Sequence, residues 1–359
     1  MVITEAGKLI TFQTFDEPVV VDAPNVRMLN TLLLGNGDPN QFLLETTPNA
    51  HNFVFDHSRA IGSDNGQRAG WKCHSAGSRM FYSSIENILR TPQMAFTDVQ
   101  ALGGYAYTKD FIAYKSLFEA STENVMFGGA DAPSEDLIPQ DIEFYECIFS
   151  KQEKWRQVPG SVKNIFELKN AKRVLVQDSI FRGSWADAQV GFGILLTIRN
   201  QDGSNPWATI EDVQFRRCIM RDIAHGISIL GTDYTHPSSI LKRVTIDDLT
   251  IENMGPSGRT LQLISGSQYL TLRKISVKHL PSINNTIMTF DGTPLHTNLV
   301  VDGCYFDEGE YGIHSPDHQL GTPTLEAYAP GYIWTNNTVK TRSSETGRTI
   351  PYPNGTIIV

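Results

Sequence analysis

Eight residues, Val174-Leu175-Val176-Gln177-Asp178-Ser179-Ile180-Phe181, decide the fold because close copies of them recur along the chain. Apolar residues alternate with other residues, as in a β-strand, and a polar pair in the middle suits a bend. The copies begin 26 to 39 residues apart and occupy residues 111–118, 142–149, 213–220, 244–251, 270–277, 299–306 and 332–339. A strand that repeats in this way must stack on its own copies to bury its apolar side.

A second set of short apolar strands precedes the repeat in most units, for example at residues 164–169, 193–199 and 226–231. Two or three strands per unit, joined by turns and occasional long loops, are typical of a parallel β-helix. We therefore predict an all-β, single-stranded parallel β-helix of about ten coils. We expect one domain over residues 1–359, with an N-terminal cap and first coil at 1–40 and a C-terminal cap or tail at 342–359.

The composition narrows the possible partners. The chain has 39 acidic and 30 basic residues and a formal charge of −9, which argues against nucleic acid because that partner needs a basic face. No stretch approaches the roughly 20 apolar residues of a membrane span. The first residues lack the basic and apolar regions of a signal peptide. These N-terminal residues are compatible with a mature extracellular protein or with a protein carried on a virus particle.

The cysteines and histidines look structural. Three cysteines occupy the same place in their strand units and one stands alone without metal-ligand spacing, so we predict free, buried thiols and no zinc site. These are Cys147, Cys218 and Cys304, and then Cys73. Four scattered histidines are interpreted as surface or turn residues: His57, His74, His225 and His236.

Long inserts interrupt the middle coils. They fall at residues 130–141, 150–163, 182–191, 200–210 and 232–241. Long ordered loops gathered on one stretch of a rigid scaffold usually build a binding site. We therefore expect function to be concentrated on these coils.

Two cations on the middle coils suggest a chemistry. Lys169 and Arg199 lie at nearly the same place in consecutive coils, and a charged residue in such a strand must point outward. Two cations about one strand spacing apart repel each other unless an anion lies between them. Glu167 shares their face. This trio suits an acidic sugar, because the arginine can neutralise a uronate carboxylate while a lysine with a lowered pKa removes the C5 proton. Alternatively, the three residues form an exposed ladder of ion pairs.

The repeat resembles the right-handed parallel β-helix superfamily of pectate lyases, polygalacturonases and phage tailspikes, which implies a right-handed coil. Residues 123–131, 166–171, 185–189 and 199–203 more closely resemble a group of bacterial β-helix proteins, mostly secreted and of undefined activity. One fold hosts many functions, so this resemblance implies the fold more than the activity.

The pair of Lys169 and Arg199 is similar to that of chondroitinase B-like and alginate-lyase-like enzymes. That resemblance implies a lysine base, an arginine acid and a Ca²⁺ ion that grips the substrate carboxylate. The ligands it suggests for calcium in this chain are Glu123, Asn124 and Glu167.

Further polar and aromatic residues of the middle coils are predicted to bind substrate. They are Asn124, Asp131, Asn170, Asp187, Gln189, Asn200, Trp185 and Trp207. Asp131, Asp187 and Asp202 also offer carboxylates for glycoside hydrolysis, although loop aspartates often form turns. Exposed tryptophans stack on sugar rings, whereas other loop tryptophans pack loops onto the scaffold.

We therefore expect a carbohydrate-active protein, favouring a polysaccharide lyase that cleaves a uronic-acid polymer by β-elimination. The catalytic residues would be Lys169, Arg199 and Glu167, and the partner an acidic polysaccharide. A glycoside hydrolase with loop carboxylates and a non-catalytic polysaccharide-binding or virion spike protein are the alternatives. A secreted enzyme would be a monomer, and a spike would be a homotrimer.

Overall fold

The computed structural model describes residues 1–94, 98–279 and 284–359. Within this part of the chain, strands form a 12-stranded sheet, here called sheet A, and a 22-stranded sheet, here called sheet B. Every strand pairs in parallel with the equivalent strand of the next coil. The molecule is a right-handed parallel β-helix, as the sequence predicts.

Each coil contributes one strand to sheet A and then one long or two short strands to sheet B. The first six coils contain β1 (Val2–Ile3), β2 (Leu9–Thr11) and β3 (Thr14–Phe15); β4 (Val19–Val21), β5 (Arg27–Leu29) and β6 (Leu32–Leu34); β7 (Phe42–Thr46), β8 (Val54–Asp56) and β9 (Arg59–Ile61); β10 (Ala69–Cys73), β11 (Arg79–Phe81) and β12 (Ser84–Ile88); β13 (Gln100–Gly104), β14 (Lys109–Tyr114) and β15 (Leu117–Ala120); and β16 (Glu123–Phe127), β17 (Gln140–Tyr145) and β18 (Ile148–Ser150).

The remaining coils follow the same order. They contain β19 (Phe166–Leu168), β20 (Ala171–Gln177) and β21 (Ile180–Arg182); β22 (Phe192–Thr197) and β23 (Ile210–Arg221); β24 (His225–Leu230) and β25 (Lys242–Met254); β26 (Arg259–Ile264) and β27 (Gln268–His279); β28 (Thr286–Asp291), β29 (Val300–Asp302) and β30 (Tyr305–Asp307); and β31 (Ile313–His314), β32 (Ile333–Thr335) and β33 (Thr338–Lys340). Helix α1 (Thr322–Tyr328) precedes β32, and α2 (Ser343–Thr346) and β34 (Ile357–Ile358) follow β33. Short 3-10 helices lie at Glu135–Leu137 and Glu153–Gln157.

The repeated segments stack in register. Val174 pairs with Ile142 of the preceding coil and Val213 of the following one, as the alignment of the copies predicts. The phenylalanine that ends several copies forms an interior stack, with ring centroids of Phe149 and Phe181 4.9 Å apart. Burial of these equivalent apolar side chains makes one continuous core.

The polar pair in each copy forms the predicted bend. Asp178 occupies the left-handed backbone region, with φ 53°, and its N–H donates to the Arg216 carbonyl of the next coil at 3.0 Å. Aspartate tolerates this conformation better than most residues. The side chains at this bend pair between coils, as between Arg217 Nε and Asp178 Oδ1 at 2.7 Å.

The described strands make twelve coils, two more than the repeat suggests, because the first coils use strands of only two or three residues. Residues expected to form a cap and one coil contain two coils, since β1, β2 and β3 pair with β4, β5 and β6. At the other end, β34 adds a strand next to β33. All four cysteines are free and buried, as predicted.

The long loops divide between two edges of sheet A. The loops at residues 128–139, 198–209 and 231–241 follow sheet A strands, whereas those at 151–165 and 183–191 precede them. Strands of sheet A run parallel, so the first group lies at the carboxyl edge of the sheet and the second at its amino edge. The long loops therefore cannot all surround one site.

Candidate functional site

Sheet A places a buried carboxylate beneath a half-buried cation. In β19, Phe166 and Leu168 point into the core, and Glu167 between them points outward. Neighbouring side chains cover Glu167, which is only 5% exposed. Its Oε1 lies 3.8 Å from Lys169 Nζ, so the ammonium is the cap of this carboxylate.

The charge state of Lys169 differs from the sequence expectation. Burial lowers the pKa of this amine, but the nearby carboxylates of Glu167 and Glu123 outweigh burial, and the pKa is raised overall. We expected a lowered pKa, which a neutral lysine base requires. Lys169 is therefore suited to act as a fixed positive charge.

Arg199 lies beside Lys169 because the next coil follows the same path. Its N–H donates to the Lys169 carbonyl at 3.1 Å, just beyond β22. Its guanidinium lies 3.7 Å from Asp233 Oδ1, and its Cζ lies 4.8 Å from the ring centroid of Tyr234. Both contacts come from the insert after β24, which fixes the arginine over the carboxyl edge of sheet A.

These residues surround a pocket of about 280 Å³, here called the cationic pocket. It is lined by Lys169, Arg199, Asn200, Gln201, Asp233, Tyr234, Thr235 and His236. His236 Nδ1 lies 2.9 Å from the Asn200 carbonyl oxygen. A carbonyl can only accept, so the neutral imidazole carries its proton on Nδ1 and presents Nε2 as an acceptor.

Sequence reasoning missed Asp233, Tyr234 and His236. From the sequence, His236 is interpreted as a surface or turn residue, although it lies in the long insert at 232–241. The position of the insert could have identified these residues, because the insert follows β24 of sheet A just as Arg199 follows β22 in the preceding coil.

A second depression of about 260 Å³ lies on the other side of Lys169. Its polar lining includes Arg68, Lys72, Gln100 and Tyr105. Burial raises the pKa of the Tyr105 phenol to about 12, so the hydroxyl stays protonated at neutral pH. The outer face of sheet A thus carries several cations and hydrogen-bond donors along successive coils.

Glu123 lies below this depression rather than in it. It is 3% exposed, and Gln100 Nε2 donates to its Oε2 at 2.9 Å. Burial and the neighbouring Glu167 raise the pKa of Glu123. The negative charges of Glu167 and Glu123 help to keep Lys169 protonated.

The structure corrects the role of Asn124. This residue is fully buried, and its Oδ1 accepts from Lys151 Nζ at 3.0 Å while its Nδ2 donates to two carbonyls. It has no group left for a sugar or a cation. Lys169 already occupies the space beside Glu167, so Glu123, Asn124 and Glu167 do not fit a calcium ion. The described residues contain no group of three His, Cys, Asp or Glu side chains suited to a metal.

Asn170 and Asn200 brace the backbone, although Asn200 also lines the cationic pocket. Asn170 Nδ2 donates to the Arg199 carbonyl at 2.7 Å, and its Oδ1 accepts from Thr209 N–H. Asn200 Nδ2 donates to the Pro237 carbonyl of the insert at 232–241, and its Oδ1 accepts from Asn205 N–H in its own loop. These contacts arise because each asparagine lies at the corner where a long loop leaves sheet A.

Two of the three loop aspartates, Asp131 and Asp202, lie together at the carboxyl edge of sheet A, and Asp187 lies at the amino edge. Asp131 accepts from Gln201 and Asp202 N–H groups at the carboxyl edge. Asp187 accepts from three successive N–H groups of residues 160–162 at the amino edge. Gln189, on the same edge, accepts from Asn164. Each of these side chains fastens one loop to another.

The two loop tryptophans are also separated. Trp207 lies in the loop after β22, where its Nε1 is buried without a hydrogen-bond partner. Trp185 lies at the opposite edge of sheet A, where Arg156 Cζ is 4.2 Å from its ring centroid. Neither tryptophan lines the cationic pocket.

No protein-family model and no curated protein matches the chain. Several solved structures are similar to the chain. An alginate lyase from Paenibacillus sp. str. FPU-7 aligns with a TM-score of 0.50 at 12% identity, over 79% of this chain and 98% of that chain. The catalytic unit of a thermostable GH87 alpha-1,3-glucanase from Streptomyces thermodiastaticus strain HF3-3 aligns with a TM-score of 0.55 at 12% identity, over 98% of this chain and 62% of that chain.

A tailspike protein mutant of E. coli bacteriophage HK620, solved in complex with a pentasaccharide, aligns with a TM-score of 0.51 at 11% identity. The alignment covers 96% of this chain and 59% of that chain. At these identities the likeness establishes a shared fold. No helix among the described residues is long and apolar enough to cross a bilayer.

Proposed function

We propose that this protein binds an acidic polysaccharide on the outer face of sheet A and cleaves it by β-elimination, as a polysaccharide lyase. The observation that carries the proposal is the cationic pocket. It combines Lys169 and Arg199 with His236, whose Nδ1 contact leaves Nε2 to act as a base.

The reaction uses these groups in different roles. His236 Nε2 takes the proton from C5 of a uronate, next to the carboxylate. The C4–O4 bond breaks, a C4–C5 double bond forms, and the leaving O4 takes a proton from water. Arg199 and Lys169 stabilise the negative charge that develops on the carboxylate, since such preorganised charges are the largest catalytic contribution in many enzymes.

Lys169 acts as a cation because its raised pKa keeps it protonated. Glu167 is then a positioning residue, because its buried carboxylate holds the ammonium at the pocket. Lys72, whose Nζ lies 3.5 Å from Glu45 Oε1, lines the neighbouring depression farther along sheet A, where the next sugar of the same polymer would lie.

The structural comparisons support a carbohydrate ligand. The similar structures include an alginate lyase, a glucanase and a tailspike with a bound pentasaccharide. The choice of β-elimination rests on the pocket of this chain. Hydrolysis by loop aspartates is less favoured: Asp187 lies at the opposite edge, and the neighbouring Asp131 and Asp202 accept from backbone N–H groups and Ser204 and do not line the cationic pocket. We place the protein outside the cell or on a virus particle, where such polymers are met.

The test is a pair of assays on pectate, alginate and chondroitin sulfate, each with and without Ca²⁺. Elimination yields an unsaturated uronate that absorbs in the ultraviolet, whereas hydrolysis yields reducing ends without this absorbance. We expect both signals to rise together on at least one polymer. Reducing ends without absorbance would indicate a hydrolase, and saturable binding without either signal would indicate a binding protein.

A further inference from the structure

A second pocket lies at the amino edge of sheet A. It has a volume of about 630 Å³ and lies between the loop at residues 183–191 and the corners that precede β24 and β26. Its lining includes Trp185, Ile223, His225, Asn253 and Pro256. We call it the Trp185 pocket.

The Trp185 pocket is separate from the cationic pocket. The two share no lining residue. His225 begins β24, and the cationic pocket follows the end of that strand after six residues. At about 3.3 Å per residue, the strand separates the two pockets by roughly 20 Å.

One wall of the Trp185 pocket is aromatic and apolar. Trp185 is partly exposed, and Arg156 packs against its ring with Cζ 4.2 Å from the centroid. Arg156 is held there by Glu153, with Nε 2.6 Å from Oε2. Ile223 and Pro256 add apolar surface. A rigid indole beside aliphatic groups suits the C–H face of a pyranose ring.

The other wall supplies hydrogen-bonding groups. Asn253 Nδ2 donates to Asp222 Oδ1 at 3.1 Å, which leaves Asp222 Oδ2 and Asn253 Oδ1 as neighbouring acceptors. His225 Nδ1 accepts from the Arg259 N–H at 3.0 Å, so the neutral ring carries its proton on Nε2 as a donor. Adjacent acceptors together with a donor match a pair of vicinal hydroxyls.

The charge of this pocket differs from that of the cationic pocket. Glu153 balances Arg156, and Asp222 adds a negative charge. Burial lowers the pKa of His225 to about 4, so its imidazole is neutral at pH 7. Among the residues that line this pocket, Arg156 is the single cation and Glu153 balances it, so an uncharged sugar fits the lining better than a uronate does.

We propose that the Trp185 pocket is a second carbohydrate site, specific for an uncharged hexose unit of a glycan. The indole of Trp185 contacts the sugar ring, and Asp222, Asn253 and His225 bind its hydroxyls. The site does not depend on the cationic pocket for its ligand, so either site can exist without the other.

The experiment is calorimetric titration of the whole protein with cellohexaose, laminarihexaose and maltohexaose. We expect saturable binding of at least one, weakened tenfold or more in Trp185→Ala and in Asn253→Ala. Asn253 is exposed, so its variant tests the site even if Trp185→Ala loses fold. Trp207→Ala and Arg199→Gln are controls that should bind as wild type does.

Three results would overturn the proposal. One is the failure of all three hexaoses to bind wild type at millimolar concentration. Another is wild-type affinity in folded Trp185→Ala and Asn253→Ala. The third is loss of hexaose binding in Arg199→Gln, which would place the neutral sugar in the cationic pocket. Failure of the lyase assays, by contrast, would leave hexaose binding unchanged.

Discussion

Lys169 and Glu167 form a pair in which the carboxylate is buried and the ammonium reaches the cationic pocket. The Lys169→Met substitution leaves the buried Glu167 carboxylate without its cation. We therefore predict that it lowers the free energy of unfolding by about 1–3 kcal/mol. Arg199→Gln should change it by less than about 0.5 kcal/mol, because the buried carboxylate of its partner Asp233 still accepts from the N–H groups of Asn200 and Thr235. Urea denaturation of both variants checks this. Equal, small effects would show that Glu167 does not depend on Lys169.

Lys151 is a fully internal amine, and burial lowers its pKa. Its Nζ lies 2.8–3.0 Å from the carbonyl oxygens of Ala120, Ser121 and Thr122 and 3.0 Å from Asn124 Oδ1. We predict that Lys151→Met costs roughly 2–4 kcal/mol, because these buried acceptors lose their hydrogen-bond donor. Lys154→Met, whose side chain is 54% exposed, is the matched control and should be nearly neutral. Thermal and urea unfolding would reveal a wrong assignment if the two variants behaved alike.

The contrast between Lys169 and Lys151 shows what the sequence alone cannot predict. The alternation of apolar residues predicts that Lys169 faces outward, and it does. It cannot predict that Lys151 turns inward, because that depends on how the loop at 151–165 folds back over the corner at residues 120–124. For the same reason the burial of Asn124 and Asn170 was not predictable.

At the scale of elements, the strands were the predictable part. Copies such as residues 174–181 and 213–220 align because inward apolar positions must meet across coils. The distribution of the loops was available as well, since the order of the two strand sets shows which loops precede sheet A and which follow it. The short strands of the first coils and the contacts that each loop makes required the structure.

The interior stack gives the prediction for this scale. Phe181 is fully buried and lies against Phe149, Phe166 and Phe215. We predict that Phe181→Ala lowers the free energy of unfolding by about 3–5 kcal/mol, through lost burial and the cavity left behind. Phe12→Ala is the control, because Phe12 is 81% exposed. A small effect of the Phe181 variant in urea denaturation would mean that the stack collapses around the gap.

For the whole molecule, one half-buried and one fully buried histidine in different coils make stability depend on pH. Burial lowers the pKa of His225 and of His296 to about 4. The unfolded chain binds a proton at each histidine near pH 6.5, whereas the folded chain does not. The stabilisation that the two neutral imidazoles contribute is therefore complete above about pH 6.5. It is lost as the pH falls towards 4, by up to about 3 kcal/mol for each histidine.

Melting temperature measured from pH 7 to pH 4 tests this expectation. Wild type should lose stability across the window, and His296→Asn should show a shallower slope over the same range. Carboxylates whose pKa is lowered also lose their contribution below about pH 5, and Glu123, whose pKa is raised, takes up a proton in the folded chain and offsets part of the loss. The test is therefore the difference between the two proteins, and equal slopes for wild type and His296→Asn between pH 6.5 and 4 would show that His296 is not buried in solution.

The central claim is that the cationic pocket is where a uronate loses its proton. The most direct measurement is the initial rate of ultraviolet absorbance on the cleaved polymer for His236→Asn beside Arg217→Gln, a control whose arginine lies at the bend of sheet B. We predict a fall in kcat of at least about 100-fold for His236→Asn, the range expected for loss of a general base, and an unchanged rate for the control. A His236→Asn protein that folds and cleaves at the wild-type rate would contradict the account.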